Sequence, residues 1–233
     1  EQTVLPVNEF TAESFVELRN HSTEESALGQ LLELGVNLDT IDVNQFSMDI
    51  SRVCFICCNT YNKPEYKLGV GPLNDSITVA ANHKFMGYTV YFLHNPTSKK
   101  FLQYLQLFLQ KTKEYLTVYY TGHGSSIKDF SGDESDGYDE VMLFDDTYVV
   151  DDKLSEMIKN YANGTTKVVL INDCCHSGTI WDIPIDPDEM MQYPPNIICL
   201  SAADDDQTAK QGKQGNNDQG FFTFFMFQEV RRN

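Results

Sequence analysis

Positive charge is scarce in this chain of 233 residues: 17 Lys and Arg stand against 34 Asp and Glu, a formal charge of −17. Phosphate binding relies on basic surface, so the balance argues against a nucleic-acid partner. It leaves room for a solubilising acidic surface or for a cation site. No apolar run approaches the roughly 20 residues that a membrane helix needs, so no membrane partner is expected. No signal-peptide pattern opens the chain at Glu1, and no internal repeat divides it. Zinc lacks a second spaced pair to join Cys54 and Cys57, which fall on opposite sides of an extended strand. Adjacent Cys174 and Cys175 are also poorly placed to chelate one ion. Cys54, Cys57, Cys58 and Cys199 lie in apolar, strand-like surroundings, as reduced thiols do, which predicts a cytoplasmic protein. Asn20, Asn74 and Asn163 begin N-x-S/T triplets that, without signs of secretion, read as chance.

What is present suits one sizeable core: 41% of the residues are hydrophobic, and the length is that of a single domain with a helical appendage. Residues 1–50 carry helical spacing (Phe15 and Leu18; Leu28, Leu31 and Leu32), with Thr11 and Thr23 as candidate caps. Residues 51–233 alternate. Strand-like runs at Val53–Cys58, Tyr88–Leu93, Leu116–Tyr120, Val168–Ile171 and Ile197–Leu200 are interleaved with helical spacing. That spacing falls at Asp75–Phe85, along Phe101, Leu102, Leu105 and Leu109, at Asp152–Tyr161 and from about Gly220. Such alternation predicts an α/β fold, a mostly parallel central sheet with helices on both faces. Two long stretches, Ser125–Asp139 and Asp204–Gly220, are rich in Gly, Asp, Ser, Asn and Gln and read as loops of functional length.

The chemistry gathers at two strand ends. Lys167–Gly178, KVVLINDCCHSG, is a buried-strand pattern that stops at Asn172–Asp173 and then presents Cys174, Cys175 and His176. Upstream, the Leu116–Tyr120 run is followed by Thr121–Gly122–His123–Gly124. Open α/β sheets place their sites at this carboxyl edge. If the two strands are neighbours, His123 and a cysteine share one cleft. A cysteine nucleophile needs a base and oxyanion donors; Cys175 and His123 offer the pair, and the backbone N–H groups of Gly124 and Cys175 offer the donors. Taken singly, a histidine after a strand is more often structural and a buried cysteine more often inert.

YTGHG at 120–124 and DCCHSG at 173–178 resemble the two signature blocks of the metacaspases, caspase-related cysteine peptidases. GVGPLNDS (69–76), GDESDGYDE (132–140), VVDDKL (149–154), IWDIP (180–184) and SAADDDQT (201–208) resemble further blocks of that family, in the same order. The separation of His123 and Cys175, about fifty residues, also matches the caspase pair. The resemblance implies a caspase-like fold over residues 51–233 and an endopeptidase with Cys175 as nucleophile and His123 as its partner. It implies cleavage after Arg or Lys, with Asp75 and Asp173 holding the basic side chain of a protein or peptide substrate. It further implies calcium activation through Asp139, Asp151, Asp152 and Asp182. Separately, a monomer is expected. Without the resemblance, Asp75 reads equally as a helix N-cap, and Asp151 or Asp152 as caps of the following helix. Lys128, Lys210 and Lys213 are candidate self-cleavage points. The alternatives are a catalytically silent, calcium-responsive scaffold on the same fold, or a thiol enzyme acting on small molecules in a deep apolar pocket.

Overall fold

The computed structural model describes residues 21–47, 50–128, 138–174, 181, 196–201, 211–214 and 217–220. Six strands form its central sheet: β1 (Val36–Asn37), β2 (Arg52–Cys58), β3 (Thr89–His94), β4 (Tyr115–Thr121), β8 (Lys167–Asp173) and β9 (Ile197–Ser201). Their spatial order is β1-β3-β2-β4-β8-β9, and every neighbouring pair is parallel. β5 (Gly124–Lys128), β6 (Tyr138–Leu143) and β7 (Tyr148–Val150) make a separate antiparallel sheet, and β10 (Gln211–Gln214) pairs with β11 (Asn217–Gly220).

β2 and β4 are apolar on both faces because helices cover both. α1 (Glu24–Leu34) and α2 (Gly71–Phe85) lie on one face, where Ala27, Leu31, Leu73, Ile77 and Ala80 pack on Cys54, Ile56, Cys58, Tyr119 and Ile171. α3 (Ser98–Lys111) and α4 (Asp151–Tyr161) lie on the other, packing Phe101, Tyr104, Phe108, Leu154 and Ile158 on Phe55, Cys57, Val118, Tyr120 and Leu170. Cys54 and Cys57 thus enter different cores, as their spacing predicts, and no disulfide forms among the described residues.

The helices start where the sequence allows them to. Thr23 Oγ1 accepts the Ser26 N–H at 3.2 Å and caps α1; Thr97 Oγ1 does the same for Lys100 at the start of α3. α3 puts Phe101, Tyr104, Leu105 and Phe108 on one stripe. There Phe108 meets Phe55 and Tyr91 at ring separations of 5.1 and 5.3 Å, and each such burial contributes about 2 kcal/mol. α2 is buried along almost its whole length, so its polar residues bond back onto the helix: Ser76 Oγ to the Pro72 carbonyl at 2.8 Å, Thr78 Oγ1 to that of Asn74 at 3.2 Å.

Three readings of the sequence are revised here. The segment before residue 50 is not purely helical: Val36–Asn37 adds an edge strand to the sheet beside β3. Ser125–Asp139 is not one long loop, because Gly124–Lys128 pairs with Tyr138–Leu143 in a hairpin, which makes Lys128 a strand residue opposite Tyr138. Asp204–Gly220 likewise contains the β10–β11 hairpin, with Lys213 opposite Asp218. Gly124–Lys128, Gln211–Gln214 and Asn217–Gly220 are mostly polar in sequence, and their pairing runs through backbone bonds that leave no hydrophobic period to read. Thr11, Lys210 and the Phe-rich stretch after Gly220 fall outside the described residues. Of the N-x-S/T triplets, Asn74 is buried, and Asn163 spends its amide nitrogen on Thr112, Thr166 and Gln110 oxygens.

Candidate active site

β4 and β8 are hydrogen-bonded neighbours with Thr121 opposite Asp173, so the two strands end side by side at the carboxyl edge of the sheet. His123 follows β4 and Cys174–Cys175 follow β8. Cys174 is buried on the α3–α4 face. Cys175 and Asp182 lie outside the described residues.

His123 is half-buried and held on several sides. Its Nε2 lies 2.8 Å from the Tyr66 carbonyl. A carbonyl can only accept, so Nε2 carries the proton of the neutral ring and Nδ1 is left as the basic nitrogen. The Tyr61 ring stacks on the imidazole at 4.9 Å with planes 29° apart, and Tyr66 presents an edge at 6.3 Å. The peptide N–H of His123 donates to Tyr61 Oη at 2.6 Å, and its carbonyl accepts from Leu143 N at 3.0 Å. Burial holds the Tyr61 phenol well above its ordinary range, so it remains a donor, to the Leu143 carbonyl at 3.0 Å. Gly122 is required by this packing: a Cβ there would lie 2.6 Å from Tyr61 Oη. Tyr61 and Tyr66 carry no signal in the sequence, because their roles depend on a ring face and a backbone carbonyl.

Gly124 faces Met142 across the hairpin, and the Leu143 N–H to His123 carbonyl bond makes this a non-hydrogen-bonded pair. Its N–H is therefore directed away from β6.

On the α1–α2 face, Cys58, Thr121 and Asp173 form a row across the ends of β2, β4 and β8. All three are buried, and Thr121 Oγ1 has no hydrogen-bond partner among the described residues. Asp173 Oδ2 accepts from the Tyr119 hydroxyl at 3.0 Å. Asp75 comes to the same face from α2, fully buried. Burial raises the Cys58 thiol to about 12, with the Asp75 charge adding to the shift. The helix begins at Gly71, four residues earlier, so Asp75 is not its N-cap. Cys54 and Cys57 are likewise pushed up by burial and stay thiols at neutral pH.

Asp151 and Asp152 are the first residues of α4, whose N-cap is Val150, so neither is the cap itself. Asp151 is buried, and its carboxylate accepts the N–H groups of Glu140 and Asp152 at 2.9 and 2.8 Å. Its pKa is raised to about 7, chiefly by burial, with the Glu140 and Asp139 charges adding. Asp139 is buried beside it on β6, whereas Asp152 is exposed. Among the described residues no three acidic, His or Cys side chains gather into a metal cage, so these acids do not form a complete site by themselves.

The description of a metacaspase, peptidase C14 domain, matches residues 70–184, the stretch that carries His123 and both strand ends. Residues 70–184 are thus similar to a metacaspase domain. Metacaspase-1A of Neurospora crassa is 34% identical over 98 residues, 40% of this chain and 22% of that protein. Metacaspase-1 of Botryotinia fuckeliana is 33% identical over 98 residues, 40% and 23% of the two. The aligned stretch is thus less than a quarter of these relatives' length. Among solved structures, protein GSU0716 from Geobacter sulfurreducens matches with a TM-score of 0.59 and 20% identity, over 78% of this chain and 82% of that one. Caspase-1 from Spodoptera frugiperda matches with a TM-score of 0.54 and 12% identity, over 80% and 72%. The fold is caspase-like, as the β/α alternation and motif order predict, and the metacaspases are a family of cysteine-type peptidases. No helix among the described residues is long and apolar enough to cross a membrane.

Proposed function

We propose that this metacaspase domain is a cysteine endopeptidase that cuts after Arg or Lys. The observation that carries the reading is His123: its Nε2 proton is committed to the Tyr66 carbonyl, which leaves Nδ1 as the base nitrogen, and β4 ends beside β8, the strand that Cys175 follows in the sequence. Nδ1 takes the Cys175 S–H proton as the sulfur attacks the scissile carbonyl, then returns it to the leaving amine. The backbone N–H groups of Gly124 and Cys175 stabilise the oxyanion. Water, deprotonated by the same nitrogen, hydrolyses the acyl-enzyme.

The substrate preference draws its support from the α1–α2 face. Asp75 and Asp173 are two buried carboxylates, and the buried hydroxyl of Thr121 between Cys58 and Asp173 lacks a partner among the described residues. A guanidinium or ammonium group brought to this face would add charge-assisted bonds to the two carboxylates and a donor for the Thr121 oxygen. Calcium is the cation proposed for Asp139, Asp151, Asp152 and Asp182. The fit rests on an all-oxygen donor set and on Asp151, whose raised pKa reflects burial among like charges that a cation relieves. An ion there would fix the start of α4 to β6, whose far end bonds His123.

The deciding experiment measures cleavage of fluorogenic peptides ending in Arg, Lys or Asp, with calcium and with chelator, for wild type and Cys175→Ala. Calcium-dependent cleavage after Arg or Lys, lost in the variant, is expected. Cleavage after Asp overturns the pocket assignment, and silence in every condition favours the scaffold reading.

A further inference from the structure

Two non-glycine residues have left-handed backbones among the described ones, Tyr61 (φ 64°) and Asn95 (φ 50°), and they touch each other. Asparagine visits this region readily, but for a bulky aromatic it is an outlier that needs surrounding structure to impose it. That structure is here. Asn95 Oδ1 accepts the N–H groups of both Thr60 and Tyr61, at 2.8 and 2.9 Å. Its own N–H donates to the Cys58 carbonyl at 2.9 Å. Asn59 N–H goes to the Thr121 carbonyl, and those of Asn62 and Lys63 go to the Asp145 carboxylate. Every backbone N–H from Asn59 to Lys63 is therefore bound, and these bonds hold the turn in this conformation. That conformation lays the Tyr61 ring on His123 and brings Tyr61 Oη to its peptide N–H.

We propose that Tyr61 and Asn95 form the positioning device of His123: Asn95, on the far side of β2 from β4, imposes the left-handed turn at Tyr61, and Tyr61 fixes the plane of the imidazole so that Nε2 meets Tyr66 and Nδ1 faces the cleft. The inference rests on His123 acting as the base. Neither residue reacts. Both act through the histidine, and a misplacement of about 1 Å at a reacting group costs up to ~100-fold in rate.

The test compares wild type, Tyr61→Phe, Asn95→Ala and Asn95→Asp. Long-range proton–nitrogen NMR reads the His123 tautomer. The rate of Cys175 carboxymethylation by iodoacetate, followed by peptide mapping, reads thiol activation. Peptide cleavage gives kcat and KM. Wild type should show one neutral tautomer protonated at Nε2. Asn95→Ala and Tyr61→Phe should show mixed tautomers, slower alkylation and a kcat lowered about 10- to 100-fold with KM within about twofold. Asn95→Asp keeps the accepting oxygen and should restore most of the loss. A single Nε2-protonated tautomer in both Asn95→Ala and Tyr61→Phe, or an Asn95→Asp variant as impaired as Asn95→Ala, overturns the proposal. If wild type cleaves no peptide, the peptidase reading falls, while the tautomer spectra still decide the positioning role. Tyr61→Phe keeps the ring and the fold, so the test stands even if Asn95→Ala misfolds.

Discussion

Neutralising Asp173 separates the pocket's charge from its shape. The carboxylate is buried, it is bonded at 3.0 Å by Tyr119, and it shares a face with the fully buried Asp75. Asp173→Asn keeps the volume and still offers Tyr119 an acceptor while it removes the charge. Losing one member of a desolvated charge pair with the substrate costs about 2–3 kcal/mol, equivalent to about 30- to 150-fold in kcat/KM for an Arg substrate. The fold should change less than the activity, because the substitution keeps the side-chain volume and the Tyr119 bond. The assay is kcat/KM on matched peptides ending in Arg and in citrulline, with the melting temperature taken in parallel. Wild type should prefer Arg strongly, and the variant should lose most of that preference with little change in melting temperature. An Arg preference within about threefold of wild type, while Cys175→Ala is inactive, refutes the electrostatic account of the pocket.

Gly122→Ala places a Cβ 2.6 Å from Tyr61 Oη and 3.0 Å from Tyr120 Oη, so it should destabilise by about 1–3 kcal/mol and lower kcat; denaturant unfolding and kinetics check both. Phe108→Ala, far from the cleft, should cost about 3–5 kcal/mol of stability yet leave kcat per folded molecule unchanged, as urea titration alongside turnover would show. His83 is buried, its Nδ1 donating to the Val79 carbonyl and Nε2 accepting from Thr117, and burial lowers its pKa below 6.5, as it does for His94. The unfolded chain then takes up protons first. Stability should be fully present above about pH 6.5 and fall as pH drops towards the lower folded values, with a shallower slope in His83→Gln by chemical denaturation at a series of pH values. Calcium at about a hundredfold its dissociation constant should raise the unfolding free energy by about 2.7 kcal/mol, and by much less in Asp151→Ala, as thermal shift would read.

Local pattern was enough to find the central β/α elements, because a strand buried on both faces must be an unbroken apolar run and a covering helix must carry a 3.6-residue stripe. Val53–Cys58, Leu116–Tyr120 and Val168–Ile171 all fall within observed strands, and the two chemical motifs lie just past two of them. Their resemblance to a known family added the fold and the roles expected of His123, Cys175, Asp75 and Asp173. The polar hairpin strands β5, β10 and β11 escaped because backbone pairing leaves no side-chain period. Asp75 was ambiguous between cap and pocket until the start of the helix at Gly71 removed the cap.

Only the tertiary structure made β4 and β8 neighbours, put Asp75 and Asp173 on one face, and wrapped Asn59–Tyr66 around His123. Sequence specifies which residues are apolar and where the chain can turn. The positive φ of Tyr61, the carbonyl on Nε2 and the burial of the Thr121 hydroxyl are set by partners 34 to 62 residues away or by packing, and such long-range contacts have no local signature.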